Sequence, residues 1–163
     1  SVVGLFVDPV PADVRATLAA VPLDLLQFHG HEAPEFCRDF GRPYLKALPV
    51  APGVEEAGLV ESAERYNDAA GLLFDAPPAS GQPGGTGRTF DWSTLPAGLA
   101  RPIVLSGGLS AANVGDAIRR VRPWAVDVSS GVEAVDAAGI PIKGIKDPTR
   151  IAAFIEEVRH ADD

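Results

Sequence analysis

The sequence has no methionine and a single cysteine, Cys37. One cysteine excludes an intrachain disulfide, and such a chain suits a reducing cytoplasm, which is the expected location. No apolar run approaches the ~18 residues of a membrane span, and no basic stretch leads into an apolar one, so neither a span nor a secretory leader is expected. Positive charge is also scarce: 14 Lys and Arg stand against 22 Asp and Glu, for a formal net charge of −8. Those cations form no stripe or cluster, which argues against nucleic acid as a partner. What remains is a small-molecule site or a protein partner.

The length of 163 residues, with 46% hydrophobic and 22% charged residues, predicts one globular domain over 1–163. Short apolar runs recur along it: "VVGLFV" (2–7), "LDLLQFHG" (23–30), "PYLKALPV" (43–50), "AGLLFD" (70–75), "RPIVLSGG" (101–108) and "WAVDVSSG" (124–131). Between most of them lie segments with helical spacing and end signals. "PADVRATLAAV" opens on Pro11, "EAPEFCRDFG" stops at Gly41, and "VEEAGLVESAERY" has acids in its first turn. "SAANVGDAIRRVRP" offers Ser110 as N-cap and Pro123 as a stop, and "DPTRIAAFIEEVR" pairs Asp147 as N-cap with Pro148 behind it. Strands alternating with helices, without hairpin signals, predict right-handed βαβ units around a parallel sheet.

The runs stay apolar until their last residues, where His29, Asp75, Ser106, Ser129 and Ser130 appear. Parallel strands covered on both faces require that apolar character, and α/β folds gather ligand-binding groups at the C-terminal strand ends. Neither G-x-G-x-x-G nor G-x-x-x-x-G-K-[ST] occurs, so no nucleotide fingerprint supports a doubly wound sheet. A (β/α)₈ barrel is the leading reading, with this chain supplying about six βα units. The first run begins at residue 2 with no methionine before it, and we expect about two units to be absent upstream.

Two glycine-bearing turns follow the last two runs. "LSGGLSAANV" (105–114) sets Gly107 and Gly108 before a helix, and "VDVSSGVE" (126–133) offers Ser129, Ser130 and Gly131. Glycines let backbone N–H groups approach an anion, and barrel enzymes commonly bind phosphate in the loops after strands seven and eight. A phosphorylated small molecule is therefore the expected ligand. The overall negative charge does not oppose this at contact distance, because salt screens it beyond ~8 Å.

These motifs resemble the phosphoribosylanthranilate isomerase family, the (β/α)₈ enzymes of tryptophan biosynthesis. The resemblance runs through "VVGLFV", "LLQFHGHE", "YLKAL", "LLFD", "GGTGRTFDWS", "LSGGLSAANV", "VRPWAVDVSSGVE" and "GIKDPTRIAAFI", in the family's order and over nearly the whole chain. It implies a cofactor-free and metal-free Amadori rearrangement of N-(5-phosphoribosyl)anthranilate to a carboxyphenylamino-deoxyribulose phosphate. It also implies that the runs here are strands three to eight, and that Asp75 is the general acid that opens the ribose ring. The family's general base is a cysteine in a "K-I-C-G" motif on its first strand, and an arginine after its second strand meets the anthranilate carboxylate. Neither has a counterpart here. The alternative is thus a catalytically incomplete phosphate-binding fragment, expected to be inactive alone and to self-associate through exposed barrel edges.

Several residues keep two readings. His29 either contacts substrate or hydrogen-bonds within the barrel; Gln27, on the same strand face, lines the interior or touches ligand. Asp127 either meets substrate or orders the last loop. Cys37 sits in a helical segment and is read as a small buried residue rather than as the missing base. His29, His31 and Glu32 lack metal-site spacing, and no metal is expected. The stretch "APPASGQPGGTGRT" (76–89) is expected to close over the substrate and cover Asp75. The stretch between "SSGVE" and "GIKDP" is longer than the family pattern. Other phosphate-binding barrels, such as indole-glycerol-phosphate synthase and ribulose-phosphate epimerase, share the phosphate logic but account less well for "GGTGRTFDW" and "VDVSSGVE".

Overall fold

The computed structural model describes residues 1–76 and 89–162; residues 77–88, on which the covering-loop expectation falls, lie outside the described residues. Six strands form one sheet: β1 (Val3–Phe6), β2 (Leu25–Phe28), β3 (Tyr44–Pro49), β4 (Gly71–Asp75), β5 (Ile103–Leu105) and β6 (Ala125–Val126). Helices α1 (Pro11–Ala20), α2 (Pro34–Arg38) and α3 (Glu56–Arg65) connect the first four, and α4 (Val114–Val121) joins β5 to β6. A hairpin, β7 (Glu133–Val135) with β8 (Pro141–Lys146), and a last helix, α5 (Pro148–Asp162), complete the described chain. The six strands of the sheet are all parallel and lie in sequence order, each beside its predecessor. The order never reverses, so the sheet has no switch-point crevice of the doubly wound kind, and every strand ends at the same rim.

The register sorts the side chains onto two faces. Ala47 lies level with Leu73, Leu73 with Val104, and Val104 with Ala125, and the first three of these form a small buried cluster. The other face packs against the helices. There Leu26, Phe28, Tyr44, Leu48, Leu72 and Phe74 meet Val14 of α1, Cys37 of α2, and Leu59 and Ala63 of α3. Leu105 joins Val114 and Ile118 of α4 and Phe154 of α5 in a second cluster. Each large side chain buried this way contributes roughly 1.5–3 kcal/mol, which is why the helices hold to one face. On the other face, the edge strand β1 leaves Leu5 and the following Val7 about 60% exposed, at 59% and 61%.

The structure departs from the sequence reading in four places. Helix α2 ends at Arg38, short of the expected stop, and Gly41 instead makes a left-handed turn at φ +61° before β3. Helix α4 begins at Val114, because the Asn113 side chain accepts the Ser110 N–H at 2.8 Å and holds 110–113 as a turn. Strand β6 stops at Val126, and Ser130–Val132 form a 3₁₀ turn where strand was expected. The long segment after "SSGVE" is a hairpin that the sequence reading did not expect. Its turn is closed by the Asp136 carboxylate, which accepts the N–H groups of Ala138 and Ile140, with Gly139 at φ +82°. Asp147 caps α5 as expected, accepting the Thr149 N–H at 2.8 Å.

Candidate active site

The polar residues at the strand ends converge on one rim. Gln27 and Asp75 share the helix-free face, on β2 and at the end of β4, and His29 follows Phe28 directly. Gln27 Nε2 lies 3.2 Å from His29 Nδ1, and His29 Nε2 lies 3.1 Å from Asp75 Oδ2. The chain Gln27–His29–Asp75 crosses three strands and fixes the imidazole from both nitrogens. The His29 ring is hydrogen-bonded within the sheet and still 30% exposed, beside a carboxylate 23% exposed. A pair at that depth is reachable from solvent yet already oriented.

Asp127, past the end of β6, accepts a hydrogen bond from Ser106 Oγ at 3.1 Å. Ser106 is 7% exposed and follows β5, so the pair ties the ends of adjacent strands together. The next residue, Gly107, has φ +86°, and a Cβ built on it would lie 2.5 Å from the Ala76 N and 2.8 Å from Asp75 Oδ1. Only glycine fits there. The glycine turn therefore runs beside the carboxylate, with no room for a side chain between them.

Gly108 continues the left-handed turn at φ +65°. Asn113 closes it from below, donating from Nδ2 to the Gly108 carbonyl at 3.0 Å. Gly131 packs backbone to backbone against this turn: an added Cβ would collide with the Leu109 carbonyl oxygen and lie 3.2 Å from the Ser110 Cα. The two glycine-bearing loops are thereby held as one unit at the rim. Ser129 precedes the 3₁₀ turn and is fixed by Lys146 of β8, whose Nζ donates to the Ser129 carbonyl at 2.8 Å and to its Oγ at 3.2 Å. Glu133 holds that lysine at 3.3 Å and accepts the Gly144 N–H at 2.8 Å. That amide bond and the Lys146 charge hold the Glu133 carboxyl below its usual value.

Cys37 differs sharply from the rim residues. That thiol has no exposed surface, lies among the helix-facing core residues, and is pushed up to about 11 by burial. A thiol so protonated and so enclosed cannot serve as a base at the rim.

A family model described as N-(5'phosphoribosyl)anthranilate (PRA) isomerase matches residues 1–157. The chain belongs to this family. An N-(5'-phosphoribosyl)anthranilate isomerase from Dechloromonas aromatica is 53% identical over 162 residues, covering 99% of this chain and 72% of the relative. One from Pseudomonas putida is 51% identical over 159 residues, covering 98% and 72%. Among solved structures, phosphoribosyl anthranilate isomerase from Thermotoga maritima superposes with a TM-score of 0.77 at 35% identity, covering 97% of this chain and 72% of that one. A phosphoribosyl anthranilate isomerase in complex with reduced 1-(o-carboxyphenylamino)-1-deoxyribulose 5-phosphate matches with a TM-score of 0.72 at 32% identity, covering 97% and 71%. The α/β fold and sequential parallel sheet of the family are thus those of this chain.

Sequence reasoning missed the residues that shape the rim without standing on it. Asn113, Lys146 and Glu133 organise the two glycine loops, and Lys46 and Glu32 lie buried behind His29. A signal existed for Lys46, a lone cation inside the apolar run "PYLKALPV". Its partner could be found only once β2 and β3 were side by side.

Proposed function

We propose that this chain carries the acid and phosphate ends of a phosphoribosylanthranilate isomerase site, with its strands standing as the third to eighth of a (β/α)₈ barrel. Asp75 protonates the ribose ring oxygen. As that C–O bond breaks, the anilino nitrogen lone pair forms a C=N bond at C1′, giving the open Schiff base. Loss of the C2′ proton to a base gives an enolamine, which takes a proton at C1′ while the C2′ hydroxyl gives its proton up, and becomes the ketone. His29 orients the Asp75 carboxyl, and Gln27 fixes the tautomer and tilt of His29. Gly107, Gly108, Ser129, Ser130 and Gly131 receive the phosphate through backbone N–H and hydroxyl groups, and Asp127 orders the loop between them.

The observation that carries this reading is the placing of the Asp75 carboxylate beside both the His29 imidazole and the Gly107 turn, where not even a Cβ on Gly107 would clear it. One substrate spans both ends: its ring oxygen at the carboxyl, its phosphate at the paired glycine loops. The direct test is conversion of N-(5'-phosphoribosyl)anthranilate by the complete protein in deuterated water. The product should carry one solvent deuteron at C1, seen by mass spectrometry. No product, or product without deuterium, would contradict the reading. The location proposed for this chemistry is the cytoplasm, consistent with a lone buried thiol.

A further inference from the structure

Behind the rim lies a buried ion pair that the chemistry above does not use. Lys46 Nζ and Glu32 Oε2 are 2.8 Å apart, with side chains 3% and 2% exposed. Lys46 stands on the helix-facing side of β3, level with Phe28, and its ammonium donates to the Phe28 carbonyl at 3.4 Å, the Gly30 carbonyl at 2.6 Å and Glu32. An ammonium has three protons, and these three acceptors take all of them. Glu32 is equally committed: Oε1 accepts the Asp8 N–H at 2.9 Å, Oε2 accepts the Gly30 N–H at 3.0 Å, and the Glu32 carbonyl accepts the Tyr66 hydroxyl at 2.8 Å. Neither group has a valence left for a ligand, so neither is a catalytic residue.

Every one of these bonds lands on the turn that carries His29. The His29 N–H is bonded to the Phe6 carbonyl at 2.8 Å, and Gly30 passes so close to Asp8 that an added Cβ would lie 2.6 Å from the Asp8 N. Residues 28–32 are thus held from β1 by backbone, from β3 by Lys46 and from the end of α3 by Tyr66. A buried pair of opposite charges costs desolvation that apolar side chains would avoid, so its presence is weak evidence for stability. It does give direction, since each donor accepts only one geometry. We propose that Lys46 and Glu32 are positioning residues, which lock the 28–32 turn so that the His29 imidazole meets the Asp75 carboxyl at hydrogen-bond distance. The inference rests on Asp75 being the acid proposed above.

The test compares the complete wild-type protein with Asp75→Asn and with the double variant Lys46→Met/Glu32→Gln, which removes both charges together and leaves an amide oxygen for the Asp8 and Gly30 N–H groups. A misplacement near 1 Å at a reacting group costs on the order of 100-fold. The double variant should therefore keep its cooperative thermal transition while kcat falls roughly 10- to 100-fold and KM stays put. The ring nitrogens of His29, followed by ¹⁵N NMR, should respond to Asp75→Asn in the parent but not in the double-variant background. A double variant with wild-type kcat, or with an unchanged His29 response, overturns the inference. If Asp75→Asn itself retains wild-type turnover, the acid assignment falls instead, and the NMR response alone then decides whether the pair positions His29. Should the double variant fail to fold, Gly30→Ala perturbs the same turn through Asp8 while leaving Lys46 and Glu32 in place, and wild-type kcat in that variant overturns the inference.

Discussion

Replacing Asp75 by Asn separates the catalytic account from a structural one. The amide is nearly isosteric with the carboxyl and can still accept a bond from His29 Nε2 across the observed 3.1 Å. What it loses is the transferable proton. The folding cost is bounded by geometry, because the two side chains are 30% and 23% exposed and one hydrogen bond joins them. A bond of that kind contributes about 0.5–1.5 kcal/mol, and solvent screening of a part-exposed pair brings it below about 1 kcal/mol. At about 2–4 °C per kcal/mol for a chain of this size, the midpoint of thermal unfolding should move by under about 4 °C. The chemical cost is of another order. Loss of a general acid typically removes 10²–10⁴-fold of rate, about 2.7–5.4 kcal/mol of barrier. The assay is steady-state turnover of N-(5'-phosphoribosyl)anthranilate by the complete protein, beside a thermal melt of the same sample. A loss of less than tenfold with an intact melt would refute the acid assignment. A melt lowered by more than about 10 °C would show that the stability argument from exposure is wrong.

Three further outcomes follow from particular contacts. Gly131→Ala has backbone atoms of Leu109 and Ser110 against its new methyl and no flexible side chain to move; overpacking of this sort costs about 1–3 kcal/mol, and inorganic phosphate should compete with substrate at least tenfold more weakly than in wild type, as measured by inhibition. Burial pushes the Cys37 thiol from 9.0 up to about 11, so it stays protonated when folded while the unfolded chain ionises first; the stability it contributes is complete below pH 9 and lost as pH rises toward 11, and iodoacetamide at pH 8 should label it only after denaturant is added. The edge strand β1 exposes Val3 by 44% and Leu5 by 59% on its helix-free face, so the 163-residue chain on its own is expected to self-associate; a single monomeric species in sedimentation velocity at micromolar concentration would refute that.

The apolar runs alone determined the six strands and their parallel arrangement. Runs such as "GLLFD" and "RPIVL" are too continuously hydrophobic for a half-solvated strand, and the helical spacing between them leaves no room for hairpins. Cap chemistry likewise placed α1 and α5 from Pro11 and Asp147, because those signals are local. The hairpin at 133–146 was not legible, since its register depends on Lys146 reaching back to Ser129 and Glu133 across 17 and 13 residues. The candidate site divides in the same way. Asp75 and the glycine turns were visible as residue types at strand ends, and chemistry at a barrel rim is tied to those positions. That His29 bonds to Asp75, 46 residues away, and that a buried Lys46–Glu32 pair stands behind it, are facts of strand order. Sequence periodicity says which face a side chain takes; only the packed sheet decides which neighbour it meets there, because hydrogen bonds act over ~3 Å and the chain between the partners carries no record of that distance.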